Sequence, residues 1–237
     1  MDINYLGHST VELVDGDTRI LIDPFLKPNN PAAELTAEDV NPTHVLMTHA
    51  HLDHSADAIA VGKRTGASFV AQSELAHVLS HHGIEDVADP NLGGTVQFDW
   101  GWVRIVPALH TSTWPGDPDA PFSPIPGTVI GSAAGLVVDF AGTTLYHLGD
   151  TCLFSDLKLV AERTPVDVAF IPIGGHYTMD REDAVVAAEF VGAGTVIPIH
   201  YNTFPPIETD AEAFRSDVES KTSSKVVVLA PGESHSV

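Results

Sequence analysis

Four metal-ligating side chains fall within six positions of the stretch Thr48-His49-Ala50-His51-Leu52-Asp53-His54. Imidazole and carboxylate donors suit zinc, manganese or iron, so the chemistry this stretch points to is cation binding. An apolar strand-like run ends just before it and a helical pattern begins just after it. Side chains two apart on extended backbone point the same way, so His49 and His51 are placed to grip one cation together. Asp53 and His54 then fall at the turn into the helix, within reach of a second cation a few ångströms away. A single histidine is usually a surface residue or a satisfied core group, but four ligands at one strand-to-helix turn are not explained that way. Cys152 is the only cysteine, against 13 histidines. That excludes an intrachain disulfide and a thiolate-rich zinc site.

The elements that must position these ligands follow from patterning. Of the 237 residues 43% are hydrophobic and 18% charged, a globular composition with enough chain for a sizeable core. Apolar stretches at 3–6, 11–14 and 19–22 predict strands, with Asp15-Gly16-Asp17 as a hairpin signal. A polar loop with Pro24, Pro28 and Pro31 leads to a short buried run at 44–47. Helical patterns at 56–64 and 74–81 flank a strand at 68–71, and strand patterns return at 95–98, 102–107, 135–140 and 143–147. The remainder alternates: helix 155–163, strand 166–172, helix 181–191, strand 195–199, and a helix opening on the capping box Thr209-x-x-Glu212. The final strand is 225–229. Hairpins in each half followed by β-α repeats predict two packed sheets with helices outside, in one domain spanning 1–237.

His49-x-His51-x-Asp53-His54 resembles the signature of the metallo-β-lactamase superfamily. The resemblance implies an α/β fold, the four-layer αβ/βα sandwich, and further ligands in a set order at strand ends. His110 after Val103-Arg104-Ile105-Val106-Pro107-Ala108-Leu109, Asp150 after Leu145-Tyr146-His147-Leu148-Gly149, and His200 after Val196-Ile197-Pro198-Ile199 fit that order. By the same analogy one metal takes His49, His51 and His110, and the other takes Asp53, His54 and His200. Asp150 would bridge the two. Leu6-Gly7-His8-Ser9, Gly149-Asp150-Thr151 and Ile171-Pro172-Ile173-Gly174-Gly175-His176-Tyr177-Thr178-Met179 narrow the likeness to a group of metal-dependent hydrolases similar to the L-ascorbate-6-phosphate lactonase branch. That implies two divalent metal ions, zinc first, with manganese or iron as alternatives. It also implies hydrolysis of a small ester-like bond (lactone, ester, thioester or phosphodiester) by a metal-bridging hydroxide. Self-association would fit the lactonase branch. The alternatives are an iron-dependent oxidoreductase of the persulfide dioxygenase kind, a nuclease, and a non-catalytic metal-binding protein.

Further residues carry weaker signals. His8, at the end of the first strand, is a candidate substrate group or a packed histidine. His176, in a glycine turn after a strand, is a candidate catalytic or substrate-binding residue beside the catalytic candidates Asp53 and Asp150. His147 is expected to pack within its strand, Cys152 to be inert, and His81-His82-Gly83 to end a helix. The segment 111–127 holds Trp114, Phe122, Ile125 and five prolines, and is expected to act as a lid or substrate-contacting loop with Trp114 as a contact.

Charge narrows the partners. Lys plus Arg number 11 against 32 Asp plus Glu, a formal charge of −21. Such a surface repels phosphate backbones, so nucleic acid is a poor partner and a small molecule is the expected substrate. No apolar run approaches the roughly 18–20 residues that span a bilayer, and the Met1-Asp2-Ile3-Asn4 opening lacks a basic n-region with an apolar stretch after it. A cytoplasmic location without membrane contact is expected. The acidity itself reads as a solubility adaptation, including life in high salt, where self-repulsion is screened. The melting temperature should therefore rise as salt is added; a flat or falling melting temperature counts against the adaptation.

Overall fold

Two two-residue turns fold the first strands into a meander: β1 (Asp2–Gly7), β2 (Thr10–Asp15) and β3 (Thr18–Ile22). The second turn is Gly16-Asp17, with Gly16 at φ 54° as a tight hairpin requires. Parallel additions extend this sheet through β4 (His44–Leu46), β5 (Ser68–Val70) and β6 (Val87–Ala88). The crossovers carry α1 (Leu52–Ser55), α2 (Ala58–Thr65) and α3 (Ser73–His81). The computed structural model describes residues 1–115 and 128–237; Phe122, Ile125 and most of the predicted lid lie outside the described residues.

The second half begins with the antiparallel strands β7 (Thr95–Phe98) and β8 (Gly101–Pro107). A small pair, β9 (Thr113–Trp114) and β10 (Thr128–Val129), precedes β11 (Ala134–Phe140) and β12 (Thr143–His147). Parallel β-α units follow: α4 (Leu157–Arg163), β13 (Val168–Pro172), α5 (Arg181–Val191), β14 (Thr195–Ile199), α6 (Ala211–Lys221) and β15 (Lys225–Val226). The last strand, β16 (Ser234–Ser236), returns to pair with β1. Each of the two large sheets therefore has seven strands, ordered β16-β1-β2-β3-β4-β5-β6 and β15-β14-β13-β12-β11-β8-β7.

Alternation in the strands decides which faces meet. Ile3, Leu13, Ile20 and Leu46 of one sheet pack against Ile105, Leu136, Phe170 and Ile197 of the other. The outer face of the first sheet buries Leu21, Val45 and Met47 under Val61, Leu75 and Leu79 of α2 and α3. The outer face of the second buries Val137, Ala169 and Val196 under Leu157, Ala188 and Phe214 of α4, α5 and α6. This is the αβ/βα layering expected from the sequence. No helix of the described residues is long and apolar enough to cross a membrane.

Local departures have local causes. The predicted helix 56–64 is α2, which starts at Ala58, and a separate single turn before it, α1, carries Asp53 and His54. The last helix is capped by Asp210, whose carboxylate accepts from Ala213 N–H at 2.9 Å, and not by Thr209. Thr209 Oγ1 instead donates to the Ile173 carbonyl at 3.1 Å. The strand predicted at 225–229 keeps only Lys225 and Val226 in the ladder.

Direction of travel places the site. In the first sheet β1, β3 and β4 run the same way, and in the second β8, β12 and β14 do. Their carboxyl ends collect at one end of the sandwich, where open α/β sheets usually bind ligands. Two backbone hydrogen bonds tie the sheets there, from Ala134 N–H to the Thr48 carbonyl (3.1 Å) and from His200 N–H to the His8 carbonyl (2.8 Å). Gly149 fills the seam at φ 64°, where an added Cβ would stand 2.4 Å from the Ala134 carbonyl oxygen and 3.2 Å from Thr48 Cβ. Gly149→Ala should therefore cost about 2 kcal/mol or more of unfolding free energy through strain and overpacking. Chemical denaturation at unchanged slope measures this, and a neutral substitution would contradict the packing account.

Candidate metal centre

Strand ends bring the predicted ligands together. His49, His51 and His110 each offer a nitrogen such that all three lie within 4.8 Å of one another, and so do the ligand atoms of His8, Asp53, His54 and His200. Asp150 stands between the two groups. Its Oδ1 is 3.3 Å from His54 Nε2, while its Oδ2 is 3.0 Å from His200 Nε2 and 3.6 Å from His110 Nε2. His51 Nδ1 faces His110 Nε2 at 3.3 Å, and His200 Nε2 lies 3.7 Å from Asp53 Oδ2.

Hydrogen bonds on the far side of the rings fix which nitrogen faces inward. Thr48 Oγ1 donates its one proton to Asp23 Oδ2 (2.6 Å), so it can only accept from His49 Nδ1–H at 3.0 Å. That leaves His49 Nε2 with its lone pair toward the centre. His54 Nδ1–H donates to Asp23 Oδ2 at 2.7 Å, turning its Nε2 inward in the same way. A carboxylate behind a ligating imidazole sets its tautomer and raises its basicity. Asp23, which the sequence reading missed, accepts the Thr48 N–H (2.8 Å) as well and is wholly buried. Its only sequence signal is an acid ending an apolar strand just before Pro24.

The donor set fits a cation. His49 Nε2, His54 Nε2, Asp150 Oδ1 and both His200 ring nitrogens are buried without a hydrogen-bond partner. Such atoms cost about 1–3 kcal/mol each unless something fills them. His49, His54 and His200 each place one ligand atom within 4.8 Å of the other ligand atoms of a group, as metal ligands do.

Charge is strongly redistributed here. Burial and the neighbouring His54 press His49 well below the usual imidazole range. Burial also opposes the charged form of His54, but the Asp150 and Asp23 carboxylates outweigh it and hold His54 well above that range. The same contest, won by Asp150 and Asp53, raises His200 to about 9. For Asp150 and Asp53 burial favours the neutral acid, yet the surrounding histidines hold both well below the ordinary carboxylate value. Binding of cations displaces such protons from the imidazoles, so metal uptake is coupled to proton release.

Backbone strain marks the same strand ends. Among the described residues six non-glycine positions have left-handed φ, including His8 (59°), Asp23 (47°) and His200 (54°). Strain of this kind costs of order 1–3 kcal/mol per residue and persists where the surroundings over-determine it. Gly174 has a packing reason: an added Cβ would sit 2.2 Å from the His200 carbonyl oxygen. Its partner in the glycine pair, Gly175, is at φ 67°.

The structure redistributes the weaker candidates. His8 is fully buried and holds Asp53, with Nε2 3.1 Å from Asp53 Oδ2 and Nδ1 2.9 Å from Thr203 Oγ1. Burial, reinforced by His200, lowers it to about 4. It contacts Asp53 and Thr203 and does not line the cavity that holds Asp53. His176 does not enter the site: it is exposed at φ 51° with its ring edge-on to Tyr177, 4.5 Å between centroids. Tyr177, its neighbour, lines the cavity instead. Trp114 is 5% exposed and packs in the core with α3, so it is no cavity wall. His147 is a packed histidine, accepting from Gly149 N–H (3.1 Å) and donating to the Ser9 carbonyl (3.0 Å). Cys152 is exposed. Thr151 Oγ1 accepts from Leu109 N–H at 3.0 Å, which accounts for the threonine of Gly149-Asp150-Thr151 by anchoring the segment that carries His110.

A cavity of about 710 Å³ opens over the ligands, with His51, Asp53, His110 and Asp150 on its floor. Phe25, Leu52 and Phe204 line it too, and none of them carries a recognisable motif.

This fold and ligand arrangement define a class. A family model described as a β-lactamase superfamily domain matches residues 2–200. A UPF0173 metal-dependent hydrolase of Natranaerobius thermophilus is 41% identical over 235 residues, covering 99% of this chain and 98% of that protein. One from Thermus thermophilus is 45% identical over 233 residues, covering 98% and 97%. Igni18, a metallo hydrolase of Ignicoccus hospitalis, superposes with a TM-score of 0.86 at 35% identity, covering 99% of this chain and 97% of that one. The chain belongs to the UPF0173 family of metal-dependent hydrolases within the β-lactamase superfamily.

Asp23→Asn keeps shape but turns an amide toward groups that all donate. Metal affinity should fall about 10–100-fold. Competition with a calibrated chelator reads this, and wild-type affinity would show that Asp23 does not support the ligands.

Proposed function

We propose that this chain hydrolyses a small ester-like bond (lactone, carboxylic ester, thioester or phosphodiester) at a centre of two divalent cations. One is held by His49, His51 and His110, the other by Asp53, His54 and His200, with Asp150 shared. The observation that carries the reading is the position of Asp150, whose oxygens lie 3.0–3.6 Å from nitrogens of both groups. The imidazole-rich set favours zinc, and its carboxylates also admit manganese or iron. Bound cations would supply a water acidified towards neutral pH and an electrophile for the scissile oxygen.

The side chains do the rest. Asp53 is held by His8 and is partly open to the cavity, so its carboxylate can accept a hydrogen bond from the nucleophilic water and orient it. Phe25, Leu52 and Phe204 screen the reacting atoms from bulk water. No serine or cysteine nucleophile is needed. The single domain, the small-molecule substrate and a cytoplasmic setting belong to the same reading.

Purified protein should carry up to two divalent cations per chain and turn over members of a panel of lactones, esters, thioesters and phosphodiesters. Asp150→Ala should lose the second cation and lower kcat/KM by about 10²–10³-fold or more, the scale lost when a group that stabilises developing charge is removed. Metal analysis beside steady-state kinetics tests this. Wild-type rates in the variant would refute the bridging role.

A further inference from the structure

The walls of the cavity narrow the substrate, on the footing of the hydrolytic reading above. Beyond the ligands the lining is Phe25, Asn29, Leu52, Thr111, Tyr177 and Phe204. Leu52 and Tyr177 are 57% and 54% exposed, so both present side chains to an incoming molecule. The rings of Phe25 and Phe204 lie 6.4 Å apart, and both pack edge-on against His8. Two of the neutral polar residues have partners: Asn29 Nδ2 donates to Asp57 Oδ1 at 2.9 Å, and Thr111 Oγ1 faces His51 Nε2 at 3.4 Å; the third, Tyr177, offers a neutral phenol and no charge. Asp53 and Asp150 are the carboxylates of the lining, and no lysine or arginine lines it among the described residues.

The 11 basic side chains are largely engaged elsewhere. Arg19 pairs with Glu12, Arg64 with Glu38, Arg181 with Asp217 and Arg215 with Glu212. Arg104 lies over Trp102 and Lys158 over Phe190. Lys27 is exposed on the loop between Phe25 and Asn29 but is not part of the lining. Residues 116–127 contain no lysine or arginine; their only charged residues are Asp117 and Asp119. An anionic group held on the apolar wall, away from the cations of the floor, would exchange water for rings with no basic side chain beside it. The field of a chain at −21 opposes its approach as well.

We infer that the substrate is an ester or lactone bearing no phosphate or carboxylate, with an apolar or aromatic portion seated on Phe25, Leu52, Tyr177 and Phe204. A sugar-phosphate lactone, the kind of substrate that the sequence resemblance suggests, is the class this wall rejects.

The test uses zinc- or manganese-loaded enzyme and matched pairs. p-Nitrophenyl hexanoate is compared with the p-nitrophenyl monoester of adipic acid, and an alkyl-tailed γ-lactone with the same lactone ending in a carboxylate. The neutral member should show kcat/KM about tenfold higher or more, since an anion laid against apolar rings loses hydration with no basic side chain on the wall to replace it. Within p-nitrophenyl esters the rate constant should rise about tenfold from acetate to hexanoate as methylenes are buried. Leu52→Lys and, separately, Tyr177→Lys should improve the anionic member relative to the neutral one by about tenfold, with metal content per chain unchanged. Equal use of both members of a pair, or a ratio that neither substitution moves, would overturn the inference. Turnover favouring the anionic member strikes this inference alone. Failure of the loaded enzyme on every ester, lactone, thioester and phosphodiester strikes the hydrolytic reading and takes this inference with it; turnover of phosphodiesters alone strikes this inference and leaves that reading standing.

Discussion

A carboxylate removed from water costs several kcal/mol unless its lone pairs are filled. Asp23 fills its own with three donors: the Thr48 N–H, the Thr48 hydroxyl and the His54 ring. Much of the centre depends on that arrangement. The Thr48 hydroxyl, committed to Asp23, fixes the His49 tautomer, and the His54 ring is turned directly. The backbone of Asp23 is held in turn by the Thr10 hydroxyl, which donates to its carbonyl at 2.7 Å. A left-handed φ of 47° at Asp23 is the conformational cost of aiming this carboxylate between the strand ends of β3 and β4.

Around that anchor the centre is a balance of opposed charges in a region sparing of water. Asp53 and Asp150 stay ionised because His54, His200 and their neighbours face them, and those histidines stay basic because the carboxylates are there. His8, like His49, is a buried ring held neutral, and it meets Asp53 from one nitrogen and Thr203 from the other. The chemistry is thus held in three tiers: ligands, the groups that hold the ligands, and the strand ends that hold those groups.

Much of this was legible in the sequence, and the reason is periodicity. Alternating apolar strands and the motif from His49 to His54 reveal both the layers and the first ligands. His110, Asp150 and His200 were legible only through resemblance, since one acid or histidine after a strand is common. The rest depended on tertiary approach. Asp23 and His8 gain their roles from contacts across 25–45 residues of sequence. Gly174 reads as a ligand-facing glycine until its closeness to the His200 carbonyl is seen. His176 reads as a site residue because it follows a glycine turn at a strand end, but Tyr177, the next residue, is the one on the cavity wall. Trp114 looked like a contact because its neighbours are prolines, whereas hydrophobic burial beneath α3 claims it.

The two sheets each supply only part of every ligand group. His49 and His51 come from the first sheet and His110 from the second; Asp53 and His54 wait likewise for Asp150 and His200. Were the proposed pair of cations to bind, the second could be captured with full affinity only after the ribosome had released the last of these histidines. Occupancy would then record that both halves of the polypeptide had docked.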